Sequence, residues 1–153
     1  MKRISLKIPP VIVFAGSALI MGVISNQISM EILEFSVNRW VVYSLGLIGV
    51  ILGILGVVQF SINKTTVNPH KPENSSSVVK NGIYKYTRNP MYLGLLIVLI
   101  AFTLYLGNGF SFLMIPVFIW YMNTYQIKPE EEMLINLFGD EYIEYQQKVR
   151  RWI

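Results

Sequence analysis

Three long stretches without one charged side chain constrain this chain more than any other feature. Ile8 to Met30 is 23 uncharged residues, Trp40 to Asn63 is 24, and Asn89 to Ile127 is 39. About 20 apolar helical residues cross the roughly 30 Å hydrocarbon core of a bilayer, so the first two blocks each read as one span. The third would be about 58 Å long as a single helix, more than a bilayer needs. Gly107-Asn108-Gly109 near its middle is a strong turn signal, which folds it into a hairpin of two short spans. The expected fold class is an all-α integral membrane protein with about four transmembrane helices plus a C-terminal amphipathic helix. The spans fall at about 8–29, 40–61, 90–106 and 110–126, in a single domain over 1–153.

Charge placement supplies the orientation. Lys2, Arg3 and Lys7 precede the first span, and Lys64, Lys71, Lys80, Lys85 and Arg88 lie between the second and third. Lys128, Lys148, Arg150 and Arg151 follow the fourth, leaving only Arg39 on the other side. The positive-inside rule then puts both termini and the central loop in the cytoplasm, and the brevity of the chain suits a bacterial inner membrane. A pI near 9.3 would fit a nucleic-acid binder, but the basic residues cluster between apolar blocks, so no nucleic-acid partner is expected. The first apolar run is longer than a signal core and lacks a small-x-small cleavage site after it, which favours a retained span.

Composition removes several chemistries. With no cysteine there is neither a disulfide framework nor a thiolate site. A lone histidine, His70, rules out a multi-histidine metal centre within one chain. In the second span, glycines at 46, 49, 53 and 56 share one helix face and read as a close-packing surface.

The polar segments carry the functional candidates. Residues 62–89 form a loop rich in asparagine, serine and proline, and long loops in small domains are usually functional or disordered. From 129 to 151 the tail reads as a helix. Pro129 suits a first helical position, Glu130, Glu131 and Glu132 would follow in the first turn, and an apolar stripe runs from Leu134 to Trp152. Because the third and fourth spans fold back, their ends must lie close together. That brings Tyr84, Arg88, Asn89 and Tyr92 within reach of Glu130 and Glu131. Carboxylates beside tyrosine faces suit a cation, and backbone amides at the start of the third span suit a carboxylate. An amphoteric ligand would satisfy both.

The run "SSVVKNGIYKYTRNPMYLG", followed by "EEEMLINLFGDEYIEYQQKVRRWI", resembles the isoprenylcysteine carboxyl methyltransferase family and its phospholipid methyltransferase relatives. Shared features are a Val-x-x-Gly-x-Tyr turn, an Arg-His/Asn-Pro-x-Tyr motif, paired glutamates and a Phe-Gly-x-Glu-Tyr-x-x-Tyr segment. The resemblance covers about residues 61–153. It implies a membrane methyltransferase with S-adenosyl-L-methionine as donor and a lipophilic acceptor. By position, Ser76, Ser77, Val78 and Val79 would line the adenosine end. Tyr84 would follow, with Asn89, Pro90, Met91 and Tyr92 around the amino-acid and ribose portions. Glu130 would hold polar groups of the donor, and His70 matches a polar pocket position.

Two positions depart from the prenylcysteine enzymes. Asn89 replaces a histidine, which removes a titratable group. Gln126 replaces an arginine associated with the substrate carboxylate, so it becomes the substrate-binding candidate and a prenylcysteine acceptor is disfavoured. Should the acceptor need deprotonation, Glu131 is the candidate base, with Arg88 beside it as a second catalytic candidate. Two other readings stay open: an NADPH-dependent sterol-type reductase, and a non-catalytic membrane scaffold or permease.

Overall fold

A computed structural model describes residues 6–28, 30–62 and 77–153. His70 and Ser76, both candidates above, lie outside them. The described chain is helical, and among these residues the only β pairing is an isolated bridge between Glu34 and Asn108.

Helix α1 (Pro10–Gln27) and helix α3 (Pro90–Leu106) both begin on proline, whose fixed φ and missing N–H suit the first helical position. Helix α2 (Arg39–Ile62) is entered through Asn38, whose side chain accepts from the Trp40 N–H at 2.9 Å. Helix α3 stops at Gly107, where φ is 65°, a left-handed value that glycine adopts without Cβ strain. A tight 3-10 turn, Gly109–Leu113, reverses the chain. Asn108 braces it, accepting from the Phe110 N–H at 2.9 Å and donating to the Ile28 carbonyl at 2.7 Å. Because that turn consumes residues through 113, the returning helix α4 (Met114–Tyr121) starts later than the expected position 110.

The next stretch departs from the sequence expectation. Helix α4 passes without a break into a π-helical segment, Met122–Ile127, and on into α5 (Lys128–Phe138). Pro129 therefore does not open a new helix. A proline inside an α-helix collides with the carbonyl four residues earlier and forfeits a hydrogen bond. The wider π turns absorb that defect and let the rod continue. Glu130 and Glu131 thus sit inside a continuous helix, and the charge of a free helix N-terminus does not act on them. The rod ends at Gly139, whose φ is 55°, and a separate α6 (Asp140–Lys148) follows, so the expected helix over 129–151 is two helices.

Helices α2 and α3 pack backbone to backbone. A Cβ on Gly49 would lie 2.8 Å from the Gly94 carbonyl oxygen, and one on Gly56 would lie 2.7 Å from Cγ of Met91. Met21, Leu96, Leu99, Phe118 and Met122 form the core between α1, α3 and the rod. Outward, α1 and α2 present Val11, Ile12, Leu19, Leu47, Ile48 and Ile54 in exposed positions. Both helices are long and apolar enough to cross a membrane, whereas α3 is apolar but shorter.

Candidate functional site

The site forms where α2 ends and α3 begins. Residues 77–79 lead into a 3-10 turn, Gly82–Lys85. Gly82 there takes φ 59° against the Gln59 side chain of α2, a conformation suited to a residue without a Cβ. The turn buries Tyr84, whose ring meets Phe60 of α2 edge-on at 5.5 Å. On the other side, α6 folds back so that the Tyr145 hydroxyl donates to the Tyr84 carbonyl at 2.7 Å. Between these walls lies a cavity of about 90 Å³. Its apolar lining comes from Phe60, Val78, Val79, Met91 and Leu134, and its polar lining from Arg88, Asn89, Tyr92, Glu130 and Glu131.

Two acidic groups on adjacent positions of α5 meet different fates. Glu130 accepts a 2.6 Å hydrogen bond from the Tyr92 hydroxyl and is in no ion pair among the described residues. Burial, with a smaller push from the Glu131 charge, raises its pKa to about 8, while the Tyr92 hydrogen bond pulls the other way. Glu131 is gripped by two guanidinium groups. Arg88 Nη2 donates to its Oε1 at 2.7 Å, and Arg151 engages both oxygens through Nε, at 3.1 Å, and Nη2. Arg88 is further fixed by the Gln146 and Val149 carbonyls, which accept from its Nη1. Burial also pushes up the hydroxyls of Tyr84, Tyr142 and Tyr145, so these remain neutral donors.

The segment after α6 closes this end of the molecule. The Arg151 carbonyl accepts from Asn89 Nδ2 at 2.9 Å and from Thr87 Oγ1 at 3.3 Å, and the Arg150 carbonyl accepts from the Arg88 N–H at 3.0 Å. Trp152 Nε1 donates to Asn123 Oδ1 at 3.1 Å. The Thr-Arg-Asn run is thus held by main-chain carbonyls from the far end of the sequence.

Of the candidates, Ser77, Val78, Val79, Tyr84, Arg88, Asn89, Met91, Tyr92, Glu130 and Glu131 line one cavity. Pro90 is buried at the start of α3 beside it. Gln126 is not brought there. It is buried in the π segment, donates through Nε2 to the Ile8 carbonyl, and leaves Oε1 without a partner among the described residues. Sequence reasoning missed Phe60, Leu134, Tyr142 and Tyr145 as lining residues, and Arg151 as a partner of Glu131. Leu134, Tyr142 and Tyr145 did belong to the apolar stripe of the tail, so the signal was periodicity, which marks a buried face without saying what it packs against. A larger, more open hollow of about 610 Å³ lies at the opposite end of α3, beside Glu34, Arg39 and Tyr105, and contains none of the motif residues.

The phospholipid methyltransferase family model matches residues 28–141, and the chain belongs to that family. An uncharacterized protein of Haemophilus influenzae is 52% identical over 63 residues, which is 41% of this chain and all of that protein. The protein-S-isoprenylcysteine O-methyltransferase of Schizosaccharomyces pombe is 38% identical over 72 residues, 47% of this chain and 30% of that protein. A probable protein-S-isoprenylcysteine O-methyltransferase of Oryza sativa subsp. indica is 33% identical over 114 residues, 72% of this chain and 60% of that one. The chain thus spans 30% to 60% of the length of these named methyltransferases.

Proposed function

We propose that this chain is an integral-membrane methyltransferase that takes a methyl group from S-adenosyl-L-methionine and passes it to a lipophilic acceptor. The observation that carries this reading is the Tyr92–Glu130 pair, a partly buried carboxylate held by a tyrosine and in no ion pair among the described residues, in a family of methyltransferases. Such a carboxylate is a half-site for a cationic ligand.

The donor set around the cavity fits that ligand. Glu130 can pair with the amino group or accept from ribose hydroxyls, and the Tyr84, Tyr142 and Phe60 rings offer faces to a sulfonium. Arg88 lines the cavity with a buried Nε that has no partner among the described residues, a donor for the carboxylate end. The closed volume is smaller than the several hundred Å³ of a typical small-molecule site, so the cavity would have to widen to admit the donor. When bound, the donor supplies an already activated methyl, so the chain's task is alignment and exclusion of water. Asn89 orients by hydrogen bonding and cannot titrate. To Arg88 and Glu131 we assign a positioning role: with both Glu131 oxygens committed to guanidinium groups, neither side chain is free to move a proton.

The exposed apolar faces of α1 and α2 would lie in lipid. In our reading the hairpin of α3 with α4 completes a four-span bundle in a bacterial inner membrane, with the termini and the cavity on the cytoplasmic side. The acceptor then enters from the bilayer and the donor from water. The Gln126 side chain lies inside this bundle with its Nε2 on the Ile8 carbonyl, away from the cavity.

The test is a calorimetric titration of the purified chain with S-adenosyl-L-methionine and with NADPH. We expect saturable binding of the first alone, and transfer of a labelled methyl into a membrane lipid or lipid-modified fraction. Saturable NADPH binding without donor binding would replace this proposal with a reductase.

A further inference from the structure

We propose that Arg151 is a positioning residue that keeps the Arg88 Nε–H available for the carboxylate of a bound amphoteric ligand. The inference rests on the donor-binding reading above and extends it to a residue outside the cavity lining. Glu131 Oε1 is shared by Arg88 Nη2 at 2.7 Å and Arg151 Nε at 3.1 Å, while Oε2 is held by Arg151 Nη2 alone. Arg88 spends Nη1 on the carbonyls of Gln146 and Val149. Its Nε is buried and has no partner among the described residues.

A guanidinium usually meets a carboxylate through two parallel N–H bonds, and the Nε–Nη2 edge is one of the edges that can do so. Arg88 already has Nη2 on Glu131, so its Nε would complete the pair on Oε2. Arg151 sits on that oxygen and blocks this closure. The Arg88–Glu131–Arg151 group carries one net positive charge and, among the described residues, one buried nitrogen without a partner, Arg88 Nε, beside a cavity whose other polar side is Glu130. A buried donor on a charged group is costly to leave unmade, and an anion from the ligand satisfies it. The backbone of Arg151 is held in place by Asn89 and Thr87, so the same motif that lines the cavity also seats the residue that tunes it.

The test compares S-adenosyl-L-methionine with its decarboxylated analogue, which keeps the sulfonium and the amine but lacks the acid group, by calorimetry on the full chain in detergent. The unmodified chain is expected to prefer the carboxylate-bearing ligand by about tenfold or more, the usual worth of a charge-assisted hydrogen bond. Arg151→Gln lets Arg88 close onto Glu131 and is expected to erase that preference, leaving affinity for the analogue within about twofold. Arg151→Lys keeps the charge without the two-point grip, so it safeguards the fold and is expected to show an intermediate preference. Equal weakening of both ligands in the two variants, or no change in either, overturns the inference. So does an unmodified chain that binds both ligands alike. If the unmodified chain binds neither, the donor reading falls as well.

Discussion

The hydroxyl of Tyr92, two residues into α3, donates to the carboxylate of Glu130 at 2.6 Å across 38 positions of sequence. That single contact ties the polar mouth of one hairpin arm to the helix that continues from the other.

Removing the carboxylate should remove most of the affinity for a cationic donor. Glu130→Gln is expected to weaken S-adenosyl-L-methionine binding by about tenfold or more, in line with loss of a charged hydrogen bond. Tyr92→Phe should weaken it less, since the carboxylate survives. Calorimetry on both variants, with circular dichroism to confirm helicity, checks the order.

Binding should also respond to pH. Glu130 has its pKa raised to about 8, so at neutral pH the empty site is largely protonated. A cation binds the ionised form, and affinity should rise from pH 6 to pH 9 and then level off. Stability runs the other way. Between the ordinary carboxylate range and pH 8 the folded state holds a proton that the unfolded chain has lost, so stability falls as pH rises through that window. Glu130→Gln should flatten both profiles.

The neighbouring carboxylate should behave in the opposite manner. Glu131→Ala leaves the buried Arg88 and the partly buried Arg151 without their shared counter-charge, and breaking a buried pair costs about 3–5 kcal/mol. A large drop in thermal midpoint is expected, and it should precede any question of activity. A variant that unfolds at the parent temperature would show that the two arginines are carried by their carbonyl contacts instead.

Helix packing gives a contrast between two glycines on one face. Gly49→Ala drives a Cβ to 2.8 Å from the Gly94 carbonyl oxygen and from Val98 Cγ2, while a Cβ on Gly53 meets nothing within 4 Å. Gly49→Ala should destabilise by about 1–3 kcal/mol, the range for overpacking. Gly53→Ala should be neutral or slightly stabilising, because alanine is the better helix former. Thermal unfolding of the pair in one detergent reads the difference.

The helical class and the hairpin were legible because charge avoidance and a Gly-Asn-Gly turn are local signals. The meeting of Tyr92 with Glu130 followed from the fold-back alone. Pro129 misled because its usual place at a helix start is a statistical preference, and only the π segment before it reveals the alternative. Arg151 was read as a topology charge, since nothing near it in sequence announces Glu131 as its partner. Gln126 was singled out by its position in the resemblance; its Nε2 donates to the Ile8 carbonyl, and its Oε1 has no partner among the described residues. Contacts made between the two ends of a chain leave no periodic trace.

In the four-span reading proposed above, the unbroken rod from Met114 to Phe138 would act as a lever. Its first half packs through Phe118 among apolar side chains, and its second half carries Glu130 and Glu131. Spans adapt to bilayer thickness by tilting, so a tilt imposed by lipid at one end arrives at the carboxylates as a displacement. Lipid composition would then tune the reach of the acidic arm toward Tyr92 without touching either residue.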